Sequence, residues 1–237
     1  MLSRTFSRAA SQRNVALILS GCGVYDGSEA TEAVSALIHL SESKASVTCY
    51  APDKDQMHVI NHTNGEEMEE KRNVLVESAR IARGAVEPLA SLDSSSYDAL
   101  IVPGGFGAAK NLSSFATQGP EMEVDADLSR VLDEFKGASK PIGLCCIAPT
   151  IAAKQFGGIG VKLTVGLSTG DEAVWPHAGA AGACEAMGAI HTDVDIDGVV
   201  VDLENKIVSS PAYMKNAAPH EVHFSVGKMV KEVMGLI

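Results

Sequence analysis

The chain has 237 residues, 46% of them hydrophobic and 21% charged, and a formal net charge of -11. This is the composition of a folded body rather than a disordered one, and at about 150 residues per domain one α/β core can absorb the length. So acidic a surface repels phosphate backbones, which argues against nucleic acid as a partner, and no stretch of about eighteen apolar residues marks a membrane span. The cysteines are Cys22, Cys49, Cys145, Cys146 and Cys184. They are odd in number and form no C-x-x-C pair, so a disulfide framework or a cysteine zinc site is not expected and a reducing compartment is.

Residues 1–13 (MLSRTFSRAASQR) hold Arg4, Arg8 and Arg13, are rich in serine and contain no acid; the first acidic residue is Asp26. A basic, acid-free leader on an acidic body reads as a mitochondrial transit peptide, with Leu2 and Phe6 on its apolar face. The bland alternative is a disordered tail. Residues 14–237 read as one domain.

Residues 14–20 (NVALILS) form a short apolar run ending at Gly21-Cys22-Gly23, the pattern of a buried first strand. Ser28 is a candidate cap for a helix over 31–43. Residues 45–50 are a second strand. The polar stretch 51–70 is irregular, with a turn at Asn64-Gly65. Helical spacing returns over 73–83. A third strand, 97–103 (YDALIVP), runs into Gly104-Gly105-Phe106-Gly107. An amphipathic helix covers 124–135. A fourth strand, 141–145 (PIGLC), passes at once into a helix over 148–155. Residues 161–165 are a fifth strand, 172–187 is too rich in glycine to be one regular helix, 199–209 is a hairpin, and 217–234 is a closing helix. Strands alternating with helices imply an α/β fold with a mostly parallel sheet and helices on both faces.

In such a sheet, ligands bind beyond the carboxyl ends of the strands. The strand–turn–helix at Cys146 has the form of a nucleophile elbow. A helix N-terminus behind the sulfur would favour its thiolate, the reactive form, and the Ile147 amide would face an oxyanion. The bland reading makes Cys145 and Cys146 two small buried apolar residues. Gly104-Gly105 is either a tight turn or a place where substrate approaches a backbone amide. Glu32 is either a solvated first-turn carboxylate or a buried acid facing the cysteine, its pKa raised so that it holds a proton to share with sulfur. SGCGVYDG lacks the dinucleotide-binding spacing, and His58 and His62 make no convincing metal pair.

Several stretches, SGCGVYDGSE, APDK, VINH, RNVLVESARI, ALIVPGGFGAAKNLS, CIAP and NKIVSSPAYM, resemble the ElbB / ES-one family. This amidotransferase-like group includes mitochondrial animal members and belongs to the superfamily of the parkinsonism-associated deglycase and the PfpI peptidases. The resemblance spans nearly all of residues 14–237. It implies a flavodoxin-like three-layer sandwich, Cys146 as the elbow nucleophile, Glu32 as the facing acid, and Gly105 and Ile147 as oxyanion amides. It also implies a homodimer, no cofactor or metal, and glutathione-independent glyoxalase or deglycase chemistry on a small carbonyl substrate in the mitochondrial matrix. One position departs from the pattern: Gly166, in KLTVG, stands where active superfamily members carry a His, and the next His, His191, lies on another segment. Without that base, the other reading is a non-catalytic redox sensor or scaffold.

Overall fold

The computed structural model describes residues 12–237. The leader expectation, over 1–13, falls almost wholly outside the described residues.

The first strand, β1 (Asn14–Ile18), is followed by α1 (Ala30–Glu42), β2 (Ser46–Ala51), the two-residue strands β3 (Ile60–Asn61) and β4 (Glu66–Glu67), α2 (Val74–Ile81) and β5 (Val86–Pro88). Next come β6 (Ala99–Val102), the short helices α3 (Phe106–Lys110) and α4 (Phe115–Gln118), and α5 (Ala126–Gly137). The chain continues through β7 (Ile142–Cys145), α6 (Pro149–Phe156), β8 (Lys162–Leu163), α7 (Ala180–Ala186) and β9 (Ile190–His191). It closes with the hairpin β10 (Val200–Asp202) and β11 (Ile207–Ser210), then α8 (Pro219–Gly235).

Seven strands form the central sheet in the order β10-β11-β7-β6-β1-β2-β5. Only β10 runs antiparallel. Apart from exposed Asn14 at the start of β1, the inner strands β1, β6 and β7 carry no polar side chain, because both of their faces are covered. Helices flank the sheet, giving the three-layer flavodoxin-like α/β arrangement. α8 lies across β7, where a Cβ on Gly143 would stand 2.4 Å from the Met229 sulfur; the glycine is what lets the helix come so close.

Three local expectations are corrected. The N-cap of α1 is Glu29, whose Oε2 accepts the Glu32 N–H at 2.8 Å. Ser28 turns inward instead and its Oγ accepts the Ser20 N–H at 2.8 Å. The segment 161–165 is not a strand of the central sheet. Its β8 pairs only with β9, because side chains of the terminal hairpin take its backbone donors: Asp202 accepts from Lys162 N–H and Ser209 from Thr164 N–H, each at 2.8 Å. The place at the far edge of the sheet goes to β5, a three-residue strand that the apolar pattern does not announce.

The turn at Asn64-Gly65 does join a hairpin, β3–β4, with Gly65 at φ +77°. No helix among the described residues is long and apolar enough to cross a membrane.

Candidate active site

The carboxyl ends of β1, β6 and β7 lie side by side. The loop 21–27 after β1 spends its polar backbone groups on structure. Its Val24 and Gly27 carbonyls accept from Phe106 and Gly107 N–H at the start of α3, and the Asn111 amide donates to Ser20 and Asp26 carbonyls. That work explains the glycines without a nucleotide.

β7 ends at Cys145, which is fully buried. Cys146 follows at φ +60°, the left-handed region, and its N–H donates to the Ser210 carbonyl at 3.0 Å. A non-glycine residue there costs about 1 kcal/mol or more. The turn aims the thiol into the cavity while α6 begins three residues later. This is the expected elbow.

Glu32, from the first turn of α1, is completely buried beside it. Its two oxygens accept separate backbone donors, Gly104 N–H at 3.0 Å and Tyr213 N–H at 3.1 Å. The Cys145 thiol also points at it, at 3.8 Å. Burial, reinforced by nearby Glu29, pushes the Glu32 carboxyl up to about 8. Glu32 is therefore not a solvated surface acid; at neutral pH it holds its proton against the Cys146 sulfur.

Gly104 fits between the two groups. A Cβ there would lie 2.5 Å from Cys146 Cβ and 2.7 Å from Glu32 Oε2, so the cysteine and the carboxyl meet only across a glycine. Gly105 stands at φ +93° with no room for a Cβ against Glu29 N and Gly27 O. Its N–H and that of Ile147 face the Cys146 sulfur and pull its pKa down. The opposing effects are larger. Burial and the negative charge available to Glu32 hold the Cys146 thiol well above its ordinary value. The expected resting thiolate is thus corrected: Cys146 rests as a thiol, because desolvation outweighs the amides behind it.

Cys146, Ile147 and Gly105 line a cavity of about 620 Å³, together with Phe106, Lys110, Phe115, His177, Tyr213 and Met214. His177 was not singled out by sequence reasoning. Its ring meets the edge of Phe106, centroids 5.7 Å apart at 84°, and burial pulls its pKa below the usual value, so it is a neutral imidazole at neutral pH. Its signal was weak: a His beside Pro176 in a glycine-rich stretch.

His191 is elsewhere. It ends β9, paired with Leu163 of β8, with Nε2 accepting Val165 N–H at 3.2 Å, and it does not line the cavity. Gly166 is covered by the Trp175 ring. His62 braces the 21–27 loop, Nε2 accepting Tyr25 N–H. No group of three or more metal-ligating side chains gathers among the described residues.

The sheet order, the elbow cysteine and the buried carboxyl define a class, the amidotransferase-like α/β proteins. No family model matches the chain, but individual proteins do. The "ES1 protein homolog, mitochondrial" of Rattus norvegicus is 53% identical over 223 residues, 94% of this chain and 83% of that protein. The human "Glutamine amidotransferase-like class 1 domain-containing protein 3, mitochondrial" is 52% identical over 223 residues, covering 94% of this chain and 82% of that protein.

A solved structure from Ehrlichia chaffeensis, an isoprenoid biosynthesis protein with amidotransferase-like domain, superposes with a TM-score of 0.85. It is 35% identical and covers 94% of this chain and 99% of its own. A DJ-1 superfamily protein of Agrobacterium tumefaciens shares the fold at TM-score 0.54 and 17% identity, covering 95% of this chain and 92% of its own. The chain belongs to the ES1 family, the glutamine amidotransferase-like class 1 domain-containing protein 3 group, and its relatives are named as mitochondrial proteins.

Proposed function

We propose that this protein is a cysteine-dependent carbonyl enzyme of glyoxalase or deglycase type, working without glutathione in the mitochondrial matrix as a homodimer. The observation that carries the reading is the Cys146–Glu32 pair: a strained elbow thiol and a buried carboxyl, both protonated at rest, beside two backbone amides. A purely structural cysteine needs neither the strained φ nor the buried acid.

Chemically, the carboxylate form of Glu32, populated as pH nears about 8, takes the thiol proton as the Cys146 sulfur adds to an aldehyde carbon. The carbonyl π electrons move to oxygen, which is held by the Gly105 and Ile147 amides and protonated to a hemithioacetal. Glu32 then removes the hydrogen from the former aldehyde carbon, the freed electron pair forms an enediolate as the ketone oxygen takes up the hemithioacetal hydroxyl proton, and Glu32 returns its proton to the former ketone carbon. The aldehyde carbon is oxidised and the ketone reduced within one molecule. Water cleaves the resulting thioester to a 2-hydroxy acid and restores the thiol.

The test is lactate formation from methylglyoxal without glutathione. Wild-type protein turns over, Cys146→Ala does not, and Glu32→Gln is slower by about 10²–10⁴-fold. Full turnover in Cys146→Ala would overturn the assigned nucleophile.

One observation favours the second reading, a redox sensor or scaffold: no His occupies position 166, and Trp175 closes that space. It predicts no turnover by wild type, with Cys146 the peroxide-sensitive thiol.

A further inference from the structure

Carbonyl chemistry on methylglyoxal leaves the size of the cavity unexplained. At about 620 Å³ it matches clefts that enclose drug-sized ligands, roughly 300–1,000 Å³. A three-carbon dicarbonyl would touch little of it. The walls away from Cys146 are apolar, from Val24, Phe106, Phe115, Pro176 and Met214. They can contribute binding energy only to a substrate long enough to reach them.

Charge in the cavity is also uneven. Lys110, at the end of α3, lines it and holds Nζ 5.6 Å from the centre of the Phe106 ring. One of its three N–H groups donates to the Tyr25 carbonyl at 2.8 Å. Among the described residues it forms no ion pair. Partial burial holds its pKa below the ordinary lysine value, against the pull of the more distant Asp26 and Glu67. The acid on the cavity wall, Glu29, is engaged in capping α1. A half-buried ammonium beside a flat ring, with donors to spare and no counter-ion in contact, is a receptor for an anion.

We propose that the site takes an aldehyde or α-oxoaldehyde joined to a flat apolar body that ends in an anionic group, the body lying on Phe106 and the anion on Lys110. Placing the carbonyl at Cys146 rests on the chemistry proposed above. The body and the anion rest on the cavity alone.

The test is calorimetric titration of the full chain with three aldehydes: 4-formylbenzoate, benzaldehyde and acetaldehyde. The expected order is 4-formylbenzoate tightest by about tenfold over benzaldehyde, and benzaldehyde by about tenfold over acetaldehyde. Lys110→Met brings 4-formylbenzoate down to the level of benzaldehyde, and Lys110→Arg keeps the difference. Phe106→Leu weakens both aromatic ligands and leaves acetaldehyde unchanged. Cys146→Ala weakens all three alike and preserves the order.

Equal binding of 4-formylbenzoate and benzaldehyde, aromatic ligands no tighter than acetaldehyde, or no binding by any of the three overturns the proposal. Conversion of phenylglyoxal to mandelate is followed separately. Its failure with the binding order intact removes the catalytic reading and leaves the ligand class standing.

Discussion

The indole ring of Trp175 occupies the space that a side chain on Gly166 would need: a Cβ there would lie 2.4 Å from Cζ3. Gly166 also stands at φ +101°, so sterics and backbone both exclude a larger residue. The loop that closes this place carries His177, two residues beyond Trp175, into the cavity. Gly166→His therefore lowers stability by about 2–4 kcal/mol and adds no turnover. Chemical denaturation reads the loss, and an unchanged midpoint would mean that Trp175 does not fill the space.

Cys146 predicts an inverted stability order. Alanine ordinarily outranks glycine because glycine has more backbone freedom to lose on folding. At φ +60° the order reverses, and Cys146→Gly is more stable than Cys146→Ala by about 1 kcal/mol. Urea midpoints of the two variants give the sign directly. Cys145→Ala, behind the elbow, keeps turnover.

Glu32 links stability to pH. In the unfolded chain its carboxyl titrates at the ordinary 4.5; burial raises it to about 8 in the fold. Between those values the native state holds a proton that the unfolded state has released, so stability falls as pH rises from about 4.5 to about 8. Below about 4.5 the contribution is complete. Glu32→Gln removes this slope, which melting temperatures across that range would show. Turnover runs the other way, because the carboxylate is the base. The wild-type rate climbs with pH through about 8, and the Gln variant is flat and about 10²–10⁴-fold lower.

Gly104→Ala tests the meeting of cysteine and carboxyl. The added methyl would sit 2.5 Å from Cys146 Cβ and 2.7 Å from Glu32 Oε2, and neither can retreat into solvent. The two groups part, the Glu32 pKa moves, and stability drops by about 1–3 kcal/mol. Wild-type melting behaviour and pH profile in this variant would show that the pair does not depend on that contact.

Much of this was legible beforehand for a physical reason. Strands such as Val15–Ile18 and Ile142–Cys145 are covered on both faces, so their residue types follow from burial alone, and the chain's change of direction at Cys146 follows from strand meeting helix. Glu32 was placed by helical position, and only packing could show that it is buried. What was illegible depended on distant side chains. The sequence around Lys162 reads as a strand because nothing local reveals that Asp202 and Ser209 will claim its donors. Ser28 is a good cap in isolation, yet Glu29 takes the place because Ser28 is drawn to Ser20. The thiolate expectation failed on desolvation, a property of the whole site rather than of the elbow. His177 lacked any periodic pattern to mark it.

The Glu32–Cys146 pair draws on residues 114 positions apart in the chain, and Tyr213 binds the same carboxyl from near the other end. None of this exists while the chain is being made. A newly synthesised chain carries five thiols of ordinary acidity, near 8.5; in the finished protein four of them are buried, and Cys49 and Cys184 are pushed up to about 11 and about 12. Maturation is thus a quenching event. Oxidants and electrophiles find the half-made chain far more vulnerable than the completed one, and a mutation that slows closure of the sheet does its damage by lengthening that exposure.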